Sequence, residues 1–112
     1  LLPVMLDHVN NNKLKLEQLI NLICENPVKI FGIKNKGYLK ENYDADITIV
    51  DLNKTKIVEN NWIVSKSGWT PYDGKKLKGW PSHTIIGGEI IMQEGEILKK
   101  IEAKPFEFGV IN

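Results

Sequence analysis

The 112-residue sequence has no initiator methionine: it begins Leu1-Leu2-Pro3 and is expected to continue upstream, as part of a longer frame or as a cleavage product. A single cysteine, Cys24, excludes an internal disulfide. Its setting, Asn21-Leu22-Ile23-Cys24, reads as the apolar face of a helix. With no histidine nearby in sequence, the thiol reads as buried rather than nucleophilic. Long apolar runs are missing too. None approaches the roughly 20 residues that span a bilayer, and no secretory signal is visible. A large charge of either sign is also absent: 15 basic and 14 acidic residues leave +1, which gives no field to attract nucleic acid or an anionic membrane. Lys75-Lys76 with Lys78 is the nearest approach to a basic cluster and reads as a solvated loop.

Histidine is nearly as scarce. His8 and His83 are the only two, far apart, and no His-x-His or His-x-x-x-His pair is present. A zinc site needs three or four converging ligands, so neither is expected to bind metal. His8, beside Asp7 on a helix, reads as a surface or capping residue. Asp44, Asp46 and Asp51 fail the calcium-loop pattern, because Ile49 and Thr55 stand where Gly and Glu are required. Asp44 and Asp46 are instead expected to accept backbone N–H groups in the turn before a buried strand. Gly32 to Gly37 lacks the Gly-Lys-Ser/Thr ending of a phosphate loop. Ser65, Ser67 and Ser82 read as loop serines without a nucleophile elbow.

What the chain does contain is periodic. Pro3 suits a first helical turn, and Leu2, Met5, Leu6 and Val9 form one stripe before Asn10-Asn11-Asn12 ends the helix. A second helix is predicted from about Leu14 to Cys24, with Leu16, Leu19, Ile20 and Ile23 on one face. Asn26-Pro27 then reads as a fresh start, Asn as cap and Pro at the first position, for a short helix that stops at Gly32. Beyond Gly32 the period becomes strand-like. Asp46–Asp51 is one candidate strand, and Ile57-Val58 a weaker one. Between Thr84 and Leu98, Gly87-Gly88 and Glu94-Gly95 should turn three short strands into a meander. Trp62 to Ser82, rich in Trp, Pro, Gly and Asp, reads as a long loop that is functional or anchored by aromatics.

These motifs resemble a known family. Asn26-Pro27-Val28-Lys29-Ile30-Phe31-Gly32-Ile33 resembles the helix that closes the barrel of amidohydrolases of the dihydroorotase, hydantoinase and allantoinase group. Gly37 to Asp51, with Asp44-Ala45-Asp46 leading into Ile47-Thr48-Ile49-Val50, is similar to the group's next segment. Thr84 to Gly95 is similar to its terminal hairpin. Within the group, Ser65-Lys66-Ser67-Gly68-Trp69-Thr70-Pro71-Tyr72-Asp73-Gly74 and Leu77-Lys78-Gly79-Trp80-Pro81 are most similar to bacterial type I dihydroorotases. Leu1 to Leu6 also looks like the helix after their last metal-binding loop. One departure is Asn42, where the family usually has Gly; Asn is the next-best residue for a left-handed turn.

The resemblance implies a fragment: residues 1–33 as the last helices of a (β/α)8 barrel, and residues 34–112 as the carboxy-terminal half of a small β-sandwich. It implies a cytoplasmic parent enzyme of pyrimidine biosynthesis that interconverts N-carbamoyl-L-aspartate and dihydroorotate with one or two zinc ions. The family's ligands (a His-x-His pair, a lysine, two further His and an Asp) would all lie upstream of Leu1. No catalytic, cofactor-binding or metal residue is therefore assigned within this chain, and the fragment alone is expected to be inactive. Rival readings are another cyclic amidohydrolase, such as a hydantoinase or allantoinase, and a non-catalytic homologue with a structural role. The expected partner is the amino-terminal remainder of the same protein, or a further copy covering open strand edges; the parent would be a homo-oligomer. Neither nucleic acid nor membrane is expected as a partner.

Overall fold

A computed structural model describes residues 1–110; the last two residues of the segment 34–112 lie outside the described residues. Helix α1 (Leu2–Asn10) comes first, with Pro3 in its first turn, where a missing N–H costs no hydrogen bond. The chain leaves it through Asn11 and Asn12, and Asn12 takes the left-handed φ of 57°. The expected second helix starts slightly later, as α2 (Leu16–Ile20), with Gln18 Oε1 accepting the Lys15 N–H at 3.0 Å.

The fresh start expected at Asn26 does not occur. A π-helical turn, Asn21–Glu25, carries α2 directly into α3 (Asn26–Phe31), and Asn26 is helical rather than a cap (φ −62°, ψ −43°). Its N–H bonds to the Asn21 carbonyl, five residues back. Pro27 explains the irregularity: it brings no N–H and its ring crowds the preceding turn, which a wider turn relieves. Helix α3 stops where expected, at a left-handed Gly32.

Four antiparallel strands follow, in the spatial order β1-β2-β3-β4: β1 (Ile47–Ile57), β2 (Lys76–Ile86), β3 (Glu89–Gln93) and β4 (Glu96–Ile97). The expected meander is present as β2, β3 and β4, but it is part of a larger sheet. The two candidate strands at Asp46 and Ile57 are one strand, β1, interrupted where Asp51 Oδ1 accepts the N–H groups of Asn53 (2.8 Å) and Lys54 (3.2 Å). This strand lies at the sheet edge with about half its residues exposed, so it is not the buried strand expected there.

The predicted loop from Trp62 to Ser82 is a loop only in its first part; from Lys76 the chain is strand. Pro81 masks this in the sequence, because a proline cannot donate to a ladder. It is tolerated at a bulge: Ile49 faces His83, the next residue Val50 faces Pro81, and Ser82 is the extra residue between them. The remaining loop is tied across its base. Asn60 N–H bonds Asp73 Oδ1 (2.8 Å), Thr70 N–H bonds Asn60 Oδ1 (2.8 Å), and Gly74 N–H bonds the Val58 carbonyl (2.8 Å). Aromatic anchoring is present as well, since Trp62 meets Trp80 edge-on with ring centres 5.9 Å apart.

Val58, Leu77 and Trp80 form a buried cluster against which Val4 of α1 packs. Leu6 and Leu19 are the most completely buried large side chains among the described residues. Helix α1 lies against β2 so closely that a Cβ at Gly79 would fall 2.6 Å from the Leu6 Cβ and 3.2 Å from Asn10 Nδ2, at a φ of +110° that L residues avoid. Both the clash and the backbone strain count against a side chain there. Gly79→Ala should therefore cost about 2–4 kcal/mol of stability, read as a fall in the urea midpoint with an unchanged slope.

Candidate functional site

Besides the tie at the base of the loop, two clusters of polar side chains join distant parts of the chain. The first is the joint between α1 and β2. Asn10 Nδ2 donates to the carbonyls of Lys78 (2.8 Å), Leu52 (2.9 Å) and Leu6 (3.2 Å), while Asp7 Oδ1 accepts the Lys78 N–H (2.9 Å). Asn11 Nδ2 steadies Asp7 through its carbonyl (2.8 Å) and carboxylate (3.0 Å). The Asn triplet thus does more than end a helix. Asn10 bonds the backbone of two strands, and its one signal in the sequence is its i+4 spacing from Leu6.

The second lies at the corner where the connection from α3 enters β1. Lys36 Nζ is 2.9 Å from Asp44 and also pairs with Asp46. Asp46 Oδ1 accepts the N–H of Gly87, at the tip of the β2–β3 hairpin (2.9 Å), and Gly88 N–H bonds the Ala45 carbonyl (3.0 Å). Asp46 therefore binds a backbone N–H as expected, though on the neighbouring hairpin rather than in its own turn. Asp44 differs from expectation: its carboxylate pairs with Lys36. The bond from Lys36, then that from Gly87, holds the Asp46 carboxyl below the usual carboxylate range. The Lys36 ammonium is raised above the usual lysine value, first by Asp46 and then by Asp44. Neither group is poised for proton transfer near neutrality.

The remaining candidates stay apart. His8 is half-buried on α1, and its Nδ1 is buried without a hydrogen-bond partner among the described residues, so it is neither a surface residue nor a cap. His83 sits on β2 with Nδ1 2.9 Å from Ser82 Oγ, which in turn donates to the Ile49 carbonyl at 3.3 Å. Ser82 is thus a buried strand residue, not a loop serine. Ser65 and Ser67 lie in an exposed loop, 3.1 Å apart through their hydroxyls. Cys24 is half-buried; burial, and secondarily Glu25, pushes its thiol up and disfavours the thiolate. Lys75 forms part of a turn, with its ammonium 5.6 Å above the centre of the Tyr72 ring, and Lys76 and Lys78 are exposed positions of β2.

Among the described residues no three of His, Cys, Asp or Glu converge as a metal site. No reaction step is therefore assigned to a metal through this chain's residues. Nor, among the described residues, is any helix long and apolar enough to cross a membrane. The helical segment does present Ile20, Leu22, Ile23, Ile30 and Phe31 to solvent, an apolar surface without a cover.

The amidohydrolase family profile matches residues 2–91. A dihydroorotase of Pyrococcus furiosus is 44% identical over 98 residues, which cover 88% of this chain and 23% of that protein. An L-hydantoinase of Paenarthrobacter aurescens is 38% identical over 99 residues, covering 87% of this chain and 22% of the relative. The solved L-hydantoinase (dihydropyrimidinase) of Arthrobacter aurescens superposes with a TM-score of 0.84 at 38% identity, covering 88% of this chain and 22% of that one. The chain thus spans less than a quarter of the length of these relatives.

The corner gives a pH dependence. A carboxyl held below its ordinary value stabilises the fold above about pH 4, and that contribution is lost as pH falls through the lowered value. The Lys36 side of the pair is lost only in strongly alkaline solution, as pH rises through its raised value. Thermal melts between about pH 5 and pH 2 should show a smaller fall in Tm for Asp46→Asn than for the unmodified protein. Equal falls would remove Asp46 from the acid transition.

Proposed function

We propose that this chain, which belongs to the amidohydrolase family in its dihydroorotase and hydantoinase branch, is the carboxy-terminal segment of a dihydroorotase. That enzyme would interconvert N-carbamoyl-L-aspartate and dihydroorotate in the cytoplasm, as a step of pyrimidine biosynthesis. The observation that carries the reading is the 44% identity to the Pyrococcus furiosus dihydroorotase across nearly the whole chain. In this reading residues 1–33 are the last helices of a (β/α)8 barrel and residues 34–112 the carboxy-terminal part of a β-sandwich. The four-stranded sheet and the one-sided helices are compatible with that division.

Zinc would be held by residues upstream of Leu1 and would supply a nucleophilic hydroxide near neutral pH. The described residues offer no set of ligands for it, and their part is to support the barrel that does. The remainder of the protein would cover Ile20, Ile23, Ile30 and Phe31, which are exposed in this chain. Association with further copies would cover any edge left open.

A second reading, a hydantoinase, is favoured by the TM-score of 0.84 to the Arthrobacter aurescens L-hydantoinase. Assaying the full-length protein on dihydroorotate and on hydantoin separates the two, with turnover of dihydroorotate expected. Turnover of hydantoin alone would establish the second reading. Loss of both activities, together with absence of the upstream His-x-His pair, would identify a non-catalytic homologue.

A further inference from the structure

After β4 the chain crosses back to the helices. Leu98 N–H still bonds the Ile91 carbonyl (2.9 Å), and Lys99 pairs with Glu89 (2.8 Å). The stretch 100–105 then forms neither helix nor strand. At its far end Ile33 and Phe108 pair as an antiparallel bridge. Lys34 N–H bonds the Glu107 carbonyl (2.8 Å), and Gly109 N–H bonds the Gly32 carbonyl (2.7 Å). The second bond satisfies a carbonyl at the end of α3, a place where helices leave acceptors unpaired. Lys36, already paired with Asp44 and Asp46, has its ammonium 5.6 Å from the centre of the Phe106 ring.

We infer that residues 106–109 form a releasable clasp on the end of α3, locked by Lys36, which ties it to the Asp46–Gly87 corner of the sheet. Its hold is light: two backbone hydrogen bonds and one cation–π contact. Strand β2, by contrast, is paired on both sides and carries Leu77 and Trp80 of the buried cluster. Segments with little buried area and exposed hydrogen bonds open at a lower free energy than the core. The clasp therefore opens without the sheet. Lys36 makes the opening felt elsewhere, because one ammonium serves the tail ring and both carboxylates of the corner. The inference does not depend on which cyclic amide the parent enzyme hydrolyses.

Hydrogen exchange followed by mass spectrometry on the full-length protein tests it, using a form truncated after Lys104 and a Lys36→Met variant. Truncation should speed exchange in residues 32–38 by about tenfold or more, while residues 77–83 keep their protection. Lys36→Met should speed exchange in residues 106–110 and at the hairpin tip, 86–88, again without affecting 77–83. Unchanged protection of 32–38 after truncation would overturn the clasp. Unchanged protection of 106–110 in Lys36→Met would overturn Lys36 as its lock. An equal rise in 77–83 would show that the segment opens only with the core.

Discussion

The close approach of α1 to β2 governs most of what the rest of the chain does. Leu6 and Asn10 lie one turn apart on the helix and meet the strand at the one residue without a side chain, Gly79. Leu6 fills the space, and Asn10 satisfies the carbonyls that the contact would otherwise bury. Two backbones this close leave little room for water, so a polar group without a partner there would cost about 1–3 kcal/mol. The amide of Asn10 suits the place because its NH2 group offers two protons to three nearby carbonyls. Once α1 is seated, Val4 completes the cluster of Val58, Leu77 and Trp80.

Around this joint the chain manages exposed surface unevenly. Edge strand β1 is interrupted by the Asp51 turn, and its lysines cross the sheet: Lys54 pairs with Glu94, and Lys56 lies 5.4 Å from the centre of the Trp80 ring. A broken edge that carries lysine discourages unplanned pairing with another strand. The α2–α3 segment has no such protection; it shows isoleucine, leucine and phenylalanine side chains to water. The sheet is not free of such surface either, since Ile49, Ile57, Ile90 and Ile97 are also exposed.

Much of this was legible in the residues. Three helical stretches, the left-handed stop at Gly32 and the hairpin turns at Gly87-Gly88 and Glu94-Gly95 follow from local rules, and the structure keeps them. The family was legible too, through Asn26 to Asp51 and Ser65 to Pro81. The misreadings arise where a local signal was outweighed by its surroundings, near in the chain or far from it. Asn26-Pro27 looks like a helix start, but a π-turn absorbs the proline. Pro81 looks like a strand breaker, but a bulge at Ser82 accommodates it. His8 looks like a surface residue until the helix is packed. The polar joint was invisible because Asn10 and Lys78 are separated by most of the chain. Asp7, Asp46, Asp51 and Asp73 each accept a backbone N–H group, and only for Asp46 did its position before a strand hint at this.

The two hairpin turns carry one more consequence, for the order of assembly. Both central residues of each turn have positive φ: Gly87 57° and Gly88 82°, then Glu94 50° and Gly95 86°. This is the geometry whose twist matches that of the flanking strands. Such hairpins close small loops and form in about 1–10 μs. Helix α1 must instead find β2 across some seventy residues, against a much larger loop-closure entropy. Within this chain α1 is made well before β2, so the joint at Gly79 closes only after most of the segment has emerged. The Leu6 and Asn10 contacts are therefore late ones, formed onto hairpins that have already closed.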